Sequence, residues 1–213
     1  MKVTQSELAS SYDRVAKEYA GEFALELDKK PFDRKMLELL IEKVGNLGTI
    51  CDVGCGPGQI AGYLHQMGAG VCGVDLSEQM INEARTLNPA VPFHQGDMLD
   101  LKDVADDSFG GIAAFYSIIH IPRESVIDAL RELRRVLRHG GTLLLTFHIG
   151  NEIIHRDEWW NKPVDLDFIF FETDEMTGYL AKVNFELQEV IERSPYRDVE
   201  YPSRRGYIFA RKI

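Results

Sequence analysis

A chain of 213 residues with 45% apolar and 27% charged side chains has the make-up of one globular domain or a domain with a lid, and its net charge of −10 argues against broad contact with nucleic-acid phosphates. No apolar run nears the roughly 18–20 residues of a membrane span, and the opening stretch "MKVTQSELASSYDR" lacks the apolar centre of a signal peptide. Cys51, Cys55 and Cys72 form no CxxC pair, and together with the missing export signal they suggest a reducing cytoplasm.

In chain order, "TQSE" (Thr4 to Glu7) has the form of a capping box, so a helix is expected from there to about Tyr19. "KKPFD" breaks the chain, and Asp33 is a candidate cap for a second helix closed by Gly45 or Gly48. Strand-like runs then appear at Thr49–Val53, Gly70–Asp75, Val91–Gln95, Phe109–Tyr116 and Thr142–His148. Helical patterns lie between them at Gln59–Met67, Ser77–Leu87 and Arg123–Arg138. Such alternation implies parallel strands joined by right-handed crossovers. The basic cluster Arg131, Arg134, Arg135, Arg138 and His139 reads as the solvated end of the long helix, complementing its dipole, with Gly140-Gly141 turning the chain into the fifth strand.

After His148 the rhythm changes. Residues 149–163 show no periodicity, and a stretch that long without structure is usually functional or mobile. "VDLDFIFF" alternates as a half-exposed strand, with Val164, Leu166, Phe168 and Phe170 on one face. A helix over Asp174–Val183, with Thr173 as its candidate cap, precedes two short strands near Glu186–Glu192 and Arg205–Ala210. The fold expected is an α/β, Rossmann-like, seven-stranded, mostly parallel sheet with helices on both faces and an antiparallel C-terminal edge hairpin. The expected divisions are a helical cover over 1–46, a core over 47–148, a lid insertion over 149–172, and a helix with strands over 173–213.

"ICDVGCGPGQIAGYL" (Ile50 to Leu64) reads in two registers. Gly56-x-Gly58-x-x-Ala61, with Asp75 nineteen residues past Gly56, fits a dinucleotide fingerprint and an NAD(P)-binding oxidoreductase. Asp52-x-Gly54-x-Gly56-x-Gly58 instead resembles the motif of class I S-adenosylmethionine-dependent methyltransferases. The strand ends "GVDLSEQMI", "QGDMLDL" and "FYSIIHIP" and the passage "LRRVLRHGGTLLLTF" resemble that family in order and spacing, over about Leu47 to Phe147. The resemblance implies S-adenosylmethionine as cofactor and a small molecule as methyl acceptor. It places Asp75 at the ribose, Asp97 at the adenine amino group and Met98 on the ring. It also assigns Tyr19, Asp52, Gly54, Cys55, Gly56, Gly58, Leu76, Met80 and Tyr116 to the cofactor. The glycine loop carries no lysine or arginine, as suits a ligand without phosphate. A non-catalytic cofactor-binding module remains a further alternative.

On the acceptor side the candidates are Tyr12, Tyr19, Tyr116, Trp159, Trp160, Phe168 and Phe170, each of which also fits core packing, with His120 and His148 as candidate catalytic bases. His65, His94, His139 and His155 read as surface residues, and "SPYRDVEYPSRR" as a solvated loop from which Arg197 and Glu200 could reach the pocket rim. No metal site is expected, and the sequence leaves the oligomeric state open.

Overall fold

The computed structural model describes residues 3–213. The helices are α1 (Gln5–Phe23), α2 (Pro31–Val44), α3 (Gln59–Gln66), α4 (Glu78–Leu87), α5 (Val126–Val136) and α6 (Thr173–Lys182). The strands are β1 (Ile50–Val53), β2 (Val71–Asp75), β3 (Phe93–Gln95), β4 (Phe109–Phe115), β5 (Leu137–Ile149), β6 (Ile153–Trp159), β7 (Lys162–Ile169), β8 (Phe185–Arg193) and β9 (Arg204–Lys212). Seven strands form one sheet in the order β3-β2-β1-β4-β5-β9-β8, parallel except where β9 runs antiparallel between β5 and β8. This is the expected α/β, Rossmann-like sheet with its hairpin at one edge. The strand order reverses between β1 and β4, which opens a crevice at their carboxyl ends. The core lies on both faces of the sheet: Ile112, Leu143, Leu145 and Ile208 pack toward α5 and α6, while Ile50, Ala113, Leu144 and Phe209 pack toward α2 and α3. No helix among the described residues is long and apolar enough to cross a membrane.

Several local expectations need correction. The stretch after His148 is not without structure, because β6 pairs antiparallel with β7 as a separate ribbon. Its side chains are mostly exposed, so no apolar alternation marks it in the sequence. Trp160 and Asn161, both at positive φ, close the ribbon as a two-residue loop whose backbone matches the twist of the strands. The helix before β5 ends at Val136, two residues short of the expected Arg138. Leu137 already pairs with Phe109, and Arg138 to Gly141 bulge from the ladder before Thr142 resumes it opposite Gly111. Arg138 and His139 therefore lie outside the helix, and the Arg138 guanidinium donates to the carbonyls of Asp107 and Leu47.

Thr4 and Glu7 do form the capping box. Asp33 does not cap α2, whose N-cap is Lys30. It is wholly buried and bonded to Arg193 and Tyr207. Thr173 is the first residue of α6, not its cap. The apolar face of β7 packs on α1, where Leu8 and Val15 meet Val164 and Leu166. Ser11 Oγ also accepts from the backbone N–H of Asp165 at 2.8 Å, and Lys162 Nζ reaches the Arg14 carbonyl at 2.7 Å. At its other side Asp13 accepts from Ser77 Oγ at 2.6 Å and from Gln79 N–H at 3.0 Å, tying α1 to the start of α4. The cover over the sheet crevice is thus one packed unit of α1 and the ribbon.

Candidate active site

A cavity of about 360 Å³ opens over the carboxyl ends of the parallel strands, between the sheet and the α1–ribbon cover. Twelve of the fourteen cofactor and catalytic candidates line it: Tyr19, Gly54, Cys55, Gly56, Asp75, Leu76, Met80, Asp97, Met98, Tyr116, His120 and His148. Asp52 and Gly58 do not.

The three glycines of the loop have three different environments. Gly54 has φ +73°, and a Cβ there would lie 2.3 Å from the Ser117 Cβ, so β1 and the chain after β4 meet through it. Gly56 has φ +52°, but its Cβ would meet only Tyr19 Cε1 at 3.9 Å, which leaves its backbone facing open cavity. Gly58 has φ +83° at the N-terminus of α3, under Phe93, Asn88 and Ala84, with a Cβ only 2.8 Å from the Phe93 ring. Gly54→Ala should therefore cost about 1–3 kcal/mol of folding stability, from overpacking and a left-handed backbone. Gly56→Ala should cost only about 1 kcal/mol, since only the backbone resists it. Urea unfolding of the two variants measures the difference.

Asp75 ends β2 beneath this loop. Its Oδ2 accepts from Gly56 N–H at 2.8 Å and its Oδ1 from Ser77 N–H at 2.9 Å. Burial pushes its carboxyl up to about 6, against the pull of those two N–H groups. Asp97, beyond β3, accepts from Leu99 N–H at 2.8 Å through Oδ1. Asp75 and Asp97 line the same cavity, with Leu76, Met80 and Met98 as apolar wall between and beside them. Asp52 lies below the loop instead, fully buried, with Oδ2 accepting from Ala61 N–H at 3.1 Å and Oδ1 without a partner. Burial raises it to about 8. It orders the first turn of α3 and does not reach the cavity.

α1 brings Tyr12, Tyr19 and Phe23 to the opposite wall. Tyr19 packs edge-on against Trp159, which stacks on Trp160 at 4.5 Å. The Tyr12 hydroxyl lies 2.7 Å from Nε2 of His120, and Nδ1 of His120 lies 2.9 Å from the carbonyl of Asp167. A carbonyl only accepts, so the ring proton sits on Nδ1, and Nε2 accepts from Tyr12. Burial pushes His120 down to about 4, so the imidazole is neutral near pH 7.

The far end of the cavity is built from the ends of β4 and β5 and the loop before β9. Tyr116 has φ +54°, a strained conformation for a bulky residue, and its N–H donates to Thr146 Oγ1 at 2.8 Å. His148 stacks on Phe170 at 4.9 Å and tilts against Tyr116 at 5.2 Å. Its Nδ1 lies 2.8 Å from both Ser203 Oγ and an Arg205 guanidinium nitrogen. Glu200, expected at the rim of a solvated loop, instead has a buried side chain beside the cavity that takes a two-pronged contact from Arg193 at 2.6 and 2.8 Å. Arg197 is exposed and outside the lining. His155 is exposed, as expected, and pairs with Asp167 at 2.9 Å.

Sequence reasoning missed Asp13, Arg156 and Arg205. Arg156, on β6, lines the cavity with its guanidinium 4.8 Å from the Trp159 ring. Asp13 and Arg205 carry no spacing signal because each works through a partner far away in the chain, Ser77 and His148, and Arg156 carries none because it lies on β6, whose mostly exposed side chains do not alternate.

Residues 50–141 match the profile of a family described as "Methyltransferase domain". A malonyl-[acyl-carrier protein] O-methyltransferase of Enterobacter lignolyticus is 31% identical over 158 residues, which cover 74% of this chain and 60% of that protein. The chain spans less than two thirds of the length of the first curated relatives it matches. Among solved structures, the 1,6-didemethyltoxoflavin-N1-methyltransferase of Burkholderia thailandensis, bound to 1,6-didemethyltoxoflavin and S-adenosylhomocysteine, superposes with a TM-score of 0.72 at 18% identity, over 99% of this chain and 87% of that one. The [4+2]-cyclase SpnF superposes at 0.68 and 17% identity, over 99% and 97%. At such identities the likeness is one of fold, and this fold carries more than one chemistry.

Proposed function

Because the chain belongs to the class I S-adenosylmethionine-dependent methyltransferases, we propose that it moves a methyl group from S-adenosylmethionine to a small-molecule acceptor and releases S-adenosylhomocysteine. The observation that carries this reading is the shared cavity of Gly56, Asp75 and Asp97, three neighbouring strand ends offering bare backbone and two acids. The residues present fit the cofactor: the Cβ space at Gly56 is open, and each oxygen of Asp75 has a lone pair beyond the one its N–H partner uses.

In this reading Asp75 accepts from the ribose hydroxyls and Asp97 from the adenine amino group, with Leu76, Met80 and Met98 against the ring. The loop from Gly54 to Gly56 meets the amino-acid tail, and Tyr19 closes over it. Tyr116 lines the boundary between cofactor and acceptor. Asp52 and Gly58 act beneath, by fixing the loop on α3 and α4. The cofactor supplies an activated methyl group, so alignment and exclusion of water account for much of the rate. An acceptor that arrives protonated loses its proton through the Tyr12 hydroxyl to Nε2 of His120, while the Nδ1–H to Asp167 keeps the ring in place.

The nicotinamide register fares worse. It needs Gly58 to approach a pyrophosphate, and Gly58 is packed under Phe93 and Asn88, away from the cavity. The charge of −10 and the aromatic side chains lining the cavity favour a small-molecule acceptor over nucleic acid. Three free cysteines fit a reducing, cytoplasmic setting. Calorimetric titration tests the cofactor: S-adenosylhomocysteine should bind with micromolar affinity and NAD should not. Binding of NAD alone would overturn the reading. Transfer of radiolabelled methyl to a library of small acceptors, against none for a non-catalytic module, tests the activity.

A further inference from the structure

Building on the methyl-transfer reading, we infer that His148 is a fixed hydrogen-bond donor, through its Nε2–H, to an oxygen of the acceptor, and so decides which acceptors the far end of the cavity takes. A guanidinium can only donate, and Arg205 points one N–H at Nδ1 of His148 from 2.8 Å. Nδ1 is therefore the bare nitrogen, and the ring proton belongs to Nε2. The same Arg205 nitrogen also donates to the Ser203 hydroxyl oxygen and, at 2.9 Å, to the Ser203 carbonyl, and that hydroxyl, 2.8 Å from Nδ1, is free to aim its own proton at the bare nitrogen. Arg205 is held too firmly to turn away: it is buried, its other nitrogen donates to the Tyr201 carbonyl at 3.0 Å, and Glu200 lies 3.7 Å from its Nε.

Nε2 has no protein partner among the described residues, and His148 lines the cavity. Phe170 stacks on the ring and Tyr116 tilts against it, so the Nε2 edge is what remains to meet a ligand. Donation from a cation into Nδ1 polarises the imidazole and strengthens Nε2–H as a donor. Burial, together with Arg205, also holds the ring well down, at about 3, so it stays neutral at every pH the enzyme would meet. His120 and His148 thus have opposite tautomers and opposite roles. Nε2 of His120 accepts, while Nε2 of His148 donates. Of the two candidate bases, His120 keeps that role in this reading and His148 takes that of a recognition group. The acceptor chemistry this end suits is a flat body bearing a carboxylate, phenolate or carbonyl oxygen. A protonated amine there would face an N–H.

The test uses the full chain with ¹⁵N-labelled histidine, saturated with S-adenosylhomocysteine. Long-range ¹H–¹⁵N spectra should show His148 with a protonated Nε2 and a bare Nδ1, unchanged from about pH 5.5 to about 8. A proton on Nδ1, or titration within that range, overturns the proposal. Benzoate and benzylamine then serve as probes with the same ring and opposite polar groups. Benzoate should shift the His148 Nε2–H signal, bind better than benzylamine, and lose roughly tenfold or more in affinity in His148→Phe. Absence of benzoate binding, or equal affinity in both proteins, overturns the proposal. His148→Phe keeps an aromatic ring against Phe170, and circular dichroism checks its fold. Failure of S-adenosylhomocysteine to bind the wild type would count against the cofactor reading, while the tautomer of His148 is read separately in the same labelled protein without ligand.

Discussion

Asp75→Ala should weaken S-adenosylhomocysteine binding by about 1.5–3 kcal/mol, the scale for hydrogen bonds to a charged group, which is roughly 10- to 150-fold in Kd. The substitution removes the acceptor for the ribose hydroxyls and also releases the Gly56 and Ser77 N–H groups that the carboxylate holds in place. The same residue gives the binding a pH dependence. In the free protein burial holds Asp75 at about 6, above its ordinary 3.8. Ribose hydroxyls donate to the ionised form, so binding favours loss of the proton, and affinity falls as pH drops through about 6. Wild type should bind several-fold more weakly at pH 5 than at pH 7.5, while Asp75→Ala should be nearly flat over that range. Titration calorimetry at the two pH values reads both effects. For folding without ligand the sign is opposite: the folded state holds more protons than the unfolded chain between about pH 4 and about pH 6, so stability from this group declines as pH rises through that window. A variant that binds normally would remove Asp75 from the site.

Arg193→Met should destabilise the fold by about 3–5 kcal/mol, the scale for leaving buried charges unpaired. Arg193 is 11% exposed and its partners Asp33 and Glu200 are 0% exposed. One guanidinium therefore holds a helix start on α2, the end of β8 and the loop before β9. Tyr207 donates to the same oxygen of Asp33 at 2.6 Å, and the other oxygen of Asp33 has no partner. The two acids respond differently. Burial dominates at Asp33 and pushes its carboxyl up. Burial also works to raise Glu200, but the two-pronged Arg193 contact, the Tyr196 N–H and Arg205 outweigh it and hold the group at about 2. The stability Glu200 contributes is fully present above its ordinary 4.5 and is lost as pH falls toward about 2. Urea unfolding at neutral pH measures the Arg193 effect, with Arg193→Lys expected to fall between, since it keeps the charge and loses the fork. A loss below about 1 kcal/mol would show that the cluster is dispensable.

The cofactor side was legible in the sequence because its signals are local. A strand ending in an acid, a glycine in a tight turn and a capping serine each announce themselves within a few residues, and the order of strand ends then fixes their relative places. Asp52 and Gly58 mark the limit of that legibility: spacing puts them in the motif, but whether a residue in the motif meets the ligand or the next helix depends on packing by Asn88, Phe93 and Ala61. The acceptor side was less legible. β6 hides because its side chains mostly face solvent, so nothing alternates. Glu200 and Arg205 sit in a stretch that looks solvated, and their burial rests on Arg193 and His148, each reached through the fold and not through spacing. The tautomers of His120 and His148 were out of reach, since each depends on one distant partner, the Asp167 carbonyl in one case and Arg205 in the other.

The charge-locked loop between β8 and β9 has a consequence for engineering. Residues 194–203 form part of the cavity wall, so they are a natural segment to transplant from a relative when a different acceptor is wanted. Glu200, however, is matched to Arg193 on the strand and Arg205 on the next. A donor loop without an acid at that position would leave the buried Arg205 with no acid and Arg193 with Asp33 alone, and the graft would fail in folding before its selectivity could be assayed. A library that randomises the loop but retains Glu200 should yield far more soluble members than one that also varies it.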